Sequence, residues 1–356
     1  MMDEMRHWKV RDGNEKDMEG ILSLRSDAFG DAEKDKLDPR FWQWEFKEGP
    51  DGRAFIYIVE DRNKIIGHFA DIPRQFIVEG KVVLGTLSLD LMVHHDYWRR
   101  GIFQAMGKYG AQRVKQKNGL FLIAFPIRLE TIQGLKKIGW REVVELPVLV
   151  YPIRFSGIVN RYLHFSPLGV FIGGMARFFH FLLYGLKRRK EIGRVEIEKV
   201  GLLDEQFDGF WQKALSLYPI MGIRNQNYLT WRYFKHPTRN YIIYRAIRNG
   251  EMRGYMVLRK VELLNFNSAV IVDLLALDEV ALSALVERGI EHAREQGIDL
   301  LGFMVPRPHP YYQSLRREGF LPSFKTFRFM VYPHWKEEVL FDPKGWYVTW
   351  GDTDVI

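Results

Sequence analysis

WEFKEGPDGRAFIYIVEDRNKIIGHFA, from Trp44 to Ala70, lies without a gap on WRYFKHPTRNYIIYRAIRNGEMRGYMV, from Trp231 to Val257. Trp44 falls on Trp231, Pro50 on Pro237, Tyr57 on Tyr244 and Gly67 on Gly254. A second block pairs FPIRLETIQGLKKIGW (Phe125 to Trp140) with VPRPHPYYQSLRREGF (Val305 to Phe320). Here Pro126, Gln133, Leu135 and Gly139 meet Pro306, Gln313, Leu315 and Gly319, with aromatic and basic positions also matched. Two blocks in the same order mark an internal duplication, and a repeat of this length sets the architecture before any local reading.

Each copy carries the same succession of elements. A helix holding Trp44 or Trp231 stops before a proline, which cannot continue it. Two β-rich runs follow, joined by the polar turns Asp61-Arg62-Asn63 and Arg248-Asn249-Gly250. Then come a long strand (Leu87 to Val93; Ala269 to Leu275), a helix (Gly101 to Lys117; Leu282 to Gln296), a buried strand (Leu120 to Phe125; Leu300 to Val305) and a short basic helix ending at Gly139 or Gly319. Helices beside antiparallel strands and one strand-helix-strand crossover make an α+β fold, each copy a mixed, mostly antiparallel sheet flanked by helices. The expected division is an N-terminal domain over 1–152, a linker over 153–192 and a C-terminal domain over 193–356.

A length of 356 residues exceeds what one core usually supports, in keeping with two domains. Cysteine is absent, which removes disulfides, cysteine-ligated metals and thiol nucleophiles from consideration. The first residues lack the apolar core of a signal peptide, and the expected location is the cytoplasm. Within the linker, PLGVFIGGMARFFHFLLYG (Pro167 to Gly185) is followed by KRRK, and Arg177 counts against a span of the bilayer. Residues 167–190 are either a membrane-surface helix, with the basic run on anionic headgroups, or a buried interdomain helix with a solvated basic end. The net charge of +8 suits phosphorylated ligands, anionic lipid or nucleic acid. No motif points to specific nucleic-acid recognition.

Chemistry concentrates in LSLDLMVHHDYWRRGIFQAM, from Leu87 to Met106. A strand ends near Val93, a loop brings Arg99 and Arg100 to Gly101, and a helix begins. A helix start offers unpaired amides and the positive end of the dipole, so the turn suits a pyrophosphate. Glycine permits close backbone approach, and the arginines add charge-assisted bonds. Asp90 on the strand and His94 or His95 at its end are the nearest groups able to take a proton, the two histidines expected on opposite faces. The ten histidines show no ligand spacing, and no metal is expected.

This turn resembles the coenzyme A loop of the GNAT acetyltransferase superfamily, Arg/Gln-x-x-Gly-x-Gly/Ala at a strand-to-helix junction. Gly101 takes the central glycine, while Trp98 stands at the Arg/Gln position and Phe103 at the final small one. Bulky residues after the glycine are more like the tandem proteins of the Eis type, and the ends at Gly139-Trp140 and Gly319-Phe320 resemble the superfamily's later Gly-Phe signature. The resemblance implies two tandem GNAT-like domains and acetyl-CoA or another acyl-CoA as cosubstrate. It implies a carbonyl-polarising amide near Met92 or Val93, and coenzyme contacts from Arg99, Arg100, Gly101, Ile102 and Phe103. Leu135 and Leu315 stand where the family often has an acidic tyrosine, and Ile356 is the analogue of the C-terminal carboxylate base of Eis-type proteins. In the second copy Asp278 and Glu279 replace the glycine turn and would repel an anion, so that copy reads as degenerate.

The first expectation is therefore an N-acyltransferase acting on a small-molecule or surface amine. An aminoacyl or peptidyl transferase of the FemABX kind uses two such domains, and a non-catalytic binding protein on this frame is the alternative from another class.

Overall fold

The protein is described here by a computed structural model over residues 7–154, 195–335 and 338–354. The expectation of a membrane-surface or interdomain helix at 167–190 lies outside the described residues. The chain forms two compact units, each assembled from three stretches. The first holds Met1–Val144, Pro219–Arg239 and Arg328–Gly345, and the second Glu145–Tyr218, Asn240–Phe327 and Trp346–Ile356.

Strands are numbered along the chain. In the first unit β1 (Lys9–Asp12), β2 (Phe55–Asp61), β3 (Lys64–Val78) and β4 (Lys81–Val93) pair antiparallel in that order, and β5 (Phe121–Ala124) runs parallel to β4. The far edge of β5 is taken by the end of β13 (Leu321–Pro333), with Met330 opposite Ala124 and Pro333 opposite Phe121. The short β8 (Ile220–Gly222) pairs with the end of β3. The long β3–β4 hairpin exceeds the sequence reading because Glu79 and Gly80 both take left-handed dihedrals, the two-residue turn that suits a twisted hairpin.

Helix α1 (Met18–Phe29) and helix α2 (Pro39–Phe46) lie on one face of this sheet, and α3 (Ile102–Gln116) on the other. Alternation along β3 shows why. Phe69 packs with Ile102 and Met106 of α3, whereas His68 turns its ring edge to Phe46 of α2. Helix α4 (Leu129–Lys137) joins α3 through a core that includes Val114, Ile132, Leu135 and Trp140.

The second unit repeats the plan. The order is β6 (Arg141–Pro152), β12 (Leu300–Met304), β11 (Phe266–Ala276), β10 (Glu251–Leu263), β9 (Ile242–Arg248) and β7 (Glu196–Val200), with β11 and β12 parallel and the rest antiparallel. The crossover helix is Glu279–Glu295. The last strand of each copy thus serves the other copy's unit: Val148–Pro152 pairs with β12, and Met330–Pro333 with β5.

The matched tryptophans meet within the first unit. The rings of Trp44 and Trp231 stack with centroids 4.8 Å apart at 16°. Each indole N–H donates to the other's backbone carbonyl, at 2.9 Å from Trp44 and 3.1 Å from Trp231. Equivalent residues exchanging equivalent bonds is the self-complementary contact that a local two-fold axis generates. Both rings are buried, so the reciprocal bonds satisfy donors that water cannot reach.

Behind α3, Asp71 is fully buried and accepts from Ser88 Oγ and, at 3.5 Å, from Thr86 Oγ1. Burial drives its carboxyl up to about 7 against the pull of those hydroxyls.

Two outcomes follow from this packing. A chain ending at residue 152 leaves the buried strand Phe121–Ala124 with an open edge, and such edges pair with other chains. The fragment is expected to elute as aggregate in size-exclusion chromatography; a monodisperse monomer would show that β13 is dispensable. For Asp71, the folded chain holds a proton between the ordinary value of 3.8 and about 7 that the unfolded chain has lost. Its contribution to stability therefore falls as pH rises through that window. Denaturant midpoints at pH 5 and pH 8 should fall for the parent chain and change less for Asp71→Asn. Equal slopes would remove Asp71 as the cause.

Candidate functional site

The parallel pairing of β4 with β5 covers only Gly85 to Leu87 opposite Phe121 to Ile123, although β4 continues to Val93. Past Leu87 the two strands part. The departure coincides with a bulge, where Phe69 of β3 faces two residues of β4, Asp90 and Leu91, between the His68–Met92 and Ala70–Leu89 pairs. Asp90 takes a left-handed φ of 57°, which costs a non-glycine residue about 1–3 kcal/mol unless neighbours impose it.

Those neighbours are present. The Asp90 carboxylate forms a buried ion pair with Arg25 of α1, with Lys36 Nζ at 4.0 Å, and His68 Nδ1 lies 3.2 Å from the Asp90 carbonyl. A carbonyl only accepts, so Nδ1 carries the hydrogen and donates. Burial and the nearby Arg25 push His68 down to about 3, which keeps the ring neutral. None of these partners was visible in the sequence, because Arg25, Lys36 and His68 stand on three other elements at no telling spacing.

After Val93 the strand stops. His94 is the cap of a single turn, His95–Tyr97, and Arg99 and Gly101 have φ of 63° and 78°. The rings of His94 and His95 stack at 4.5 Å, correcting the expectation of opposite faces: strand alternation no longer applies beyond Val93. His94 is buried, its Nε2 3.0 Å from Lys64 Nζ and 3.8 Å from an Asp27 oxygen. Among the described residues, His94, His95 and Asp96 are the trio whose ligand atoms lie within 4.8 Å of one another. The ammonium beside His94 Nε2 opposes a metal cation there.

Helix α3 begins at Ile102 with Gly101 as its cap and without a side-chain cap bond, so its first amides are not satisfied by a capping side chain. A Cβ on Gly101 would meet nothing within 4 Å, so the left-handed φ, rather than crowding, selects glycine. Arg99 and Arg100 are exposed on either side of this opening, and the Arg100 guanidinium sits 4.9 Å over Tyr97. Trp98 closes the loop by donating from Nε1 to the Val93 carbonyl at 2.8 Å. Met92 and Ile102 are buried, so a ligand reaches them only through their backbone. Phe103, at the position expected to be small, lies against Gly134 of α4, where a Cβ would come within 2.6 Å of its ring. Gly134 supplies the space that the loop motif lacks.

Ile356 lies outside the described residues. The tail before it belongs to the second unit, where Trp350 is fully buried and Thr349 donates to Asp273 of β11 at 3.2 Å.

The second unit has the same opening, filled from within. β11 and β12 part after Ile271 and Phe303, and Ala276 stands opposite Gly254 as Val93 stands opposite Gly67. Tyr311 Oη accepts from the Ala276 amide at 2.8 Å and donates to its carbonyl at 3.3 Å, while Tyr347 donates to the Leu274 carbonyl. Thr131 is the first-copy match of Tyr311, too short for that reach. At the crossover helix Asp278 is the cap, accepting from Ala281 N at 2.9 Å. Burial opposes its charge, but the Ala281 amide with Arg253 and Arg248 outweighs it and holds the carboxyl below the usual range. One helix start is open and flanked by arginines; the other is already occupied by a carboxylate.

Residues 9–143 match the family model described as acetyltransferase (GNAT) domain. No curated protein matches the chain. Similar solved structures include a GCN5-related N-acetyltransferase from Anabaena variabilis ATCC 29413, 12% identical with a TM-score of 0.64 over 91% of this chain and 72% of that one. A probable N-acyltransferase from Enterococcus faecalis V583 is 13% identical, TM-score 0.62, over 92% and 72%. Saccharomyces cerevisiae N-myristoyltransferase with bound myristoyl-CoA and inhibitors is 11% identical, TM-score 0.61, over 92% and 80%. At these identities the likeness is one of fold, and it extends over both copies.

The Asp90–Arg25 pair is open to direct measurement. Asp90→Asn removes the carboxylate from a buried ion pair with Arg25, and taking one partner from such a pair costs about 3–5 kcal/mol. Urea unfolding should show a loss of that order, and an unchanged midpoint would mean the bulge is held by other contacts.

Proposed function

Because residues 9–143 form an acetyltransferase domain of the GNAT family, we propose that the chain moves an acyl group from acyl-coenzyme A to an amine, with the coenzyme on the first unit. The observation that carries this reading is the uncapped start of α3 beside the freed end of β4, against the self-capped, tyrosine-filled counterpart in the second unit.

The pyrophosphate meets the amides at Ile102 and Phe103, with Arg99 and Arg100 supplying charge-assisted bonds. The pantetheine arm follows β4 where β5 has left it, and its amide groups take the place of the missing ladder partner. That brings the thioester to the bulge, with the carbonyl polarised by a backbone amide at Met92 or Val93. The amine nitrogen attacks that carbonyl, the C–S bond breaks, and the coenzyme leaves as thiolate while the amine's proton passes to a base. Asp90 already neutralises Arg25, so it serves to position the bulge. His94, at the turn beyond β4, takes the proton. No metal enters these steps.

The acceptor is a small-molecule or surface amine. Incubation with acetyl-CoA or longer acyl-CoA and amine mixtures, with free coenzyme thiol as the readout, tests transfer directly. Calorimetry tests the site. Gly101→Glu puts a carboxylate at the phosphate position and should abolish coenzyme A binding. Arg100→Ala should weaken it about 10- to 150-fold, the equivalent of roughly 1.5–3 kcal/mol. Asp278→Ala should leave it unaltered; coenzyme A retained by Gly101→Glu, or lost in Asp278→Ala, places the site in the wrong unit.

A further inference from the structure

Loops leaving the carboxyl ends of parallel strands emerge at the same end of a sheet. In the first unit these are the loop after β4, carrying Trp98, and the loop after β5, carrying Ile127 and leading to Leu129. All three side chains stand in solvent, at 62%, 57% and 60% exposure. The contact of Phe103 with Gly134 ties the start of α3 to α4, so the two loops form one rim. Between the apolar side chains stand the exposed Arg99, Arg100 and Arg128, against two exposed carboxylates, Asp96 and Glu130. The Arg128 guanidinium covers Phe29 at 5.5 Å, adding an aromatic ring from the end of α1 to the same rim.

An exposed apolar residue standing singly is ordinary; a group of them at one end of a sheet marks a surface that meets something. Three side chains are far too little for a stable protein interface, which needs roughly 800 Å² from each partner. The alternation of cationic and apolar groups fits a different surface: arginines meet anionic headgroups while tryptophan and aliphatic chains enter the boundary below.

We infer that this rim docks on an anionic lipid bilayer, with Trp98, Ile127 and Leu129 entering the headgroup boundary and Arg99, Arg100 and Arg128 contacting lipid phosphates. The opening along β4 then faces the membrane, and amphiphilic ligands reach it from there. The contact is peripheral: no described helix is long and apolar enough to cross a bilayer. The inference shares Arg99 and Arg100 with the proposed coenzyme site, so it applies to the chain before coenzyme A is bound, and Trp98, Ile127, Leu129 and Arg128 distinguish the two.

Sedimentation of the full chain with phosphatidylcholine vesicles, with and without phosphatidylglycerol, tests it. Binding is expected only to the anionic vesicles and should weaken with added salt. Trp98→Ala/Ile127→Ser/Leu129→Ser should lower partitioning about tenfold or more. Ile127→Ser/Leu129→Ser leaves the Trp98–Val93 bond in place and should show a smaller loss in the same direction, which covers the case of a disturbed loop. Arg128→Ala should cost about fivefold. Two results would overturn the inference: no binding by the parent chain, or equal binding by the apolar variants.

Discussion

The first unit is organised by the point at which β4 leaves β5. A parallel pair satisfies backbone groups along its whole length, so the departure after Leu87 must be enforced. β5 itself ends at Ala124, the bulge at Asp90 follows on β4, and the bulge is held by charge. Arg25 from α1 anchors the Asp90 carboxylate, and neutral His68 donates to its carbonyl. Remove that anchoring and β4 has no reason to keep a left-handed residue in mid-strand. The open edge, the loop at His94 and the direction of α3 all depend on this conformation.

The second unit shows the same frame with the opposite outcome. Its strands part at the matching place, yet Tyr311 and Tyr347 supply the hydrogen bonds that a ligand would have made. Asp278 occupies the helix start in place of an anion. Duplication thus preserved the architecture while side chains decided which opening stays available. The copies also remain mutually dependent, because each last strand completes the other's sheet and the two matched tryptophans share their hydrogen bonds.

Much of this was legible along the chain, because repeats, strand alternation and glycine turns are local signals. The duplication, the order of elements and the turn at Arg99, Arg100 and Gly101 follow from residues close in sequence. The degenerate reading of the second copy rested on Asp278 and Glu279 in place of the glycine turn, and Asp278 does cap its helix. Tertiary packing decided the rest. The roles of Arg25, His68 and Gly134, the filling of the second opening by Tyr311, and the exchange of last strands join residues tens to hundreds of positions apart. Such contacts leave no periodicity in one sequence, since a buried charge or a missing Cβ has meaning only beside the group it meets.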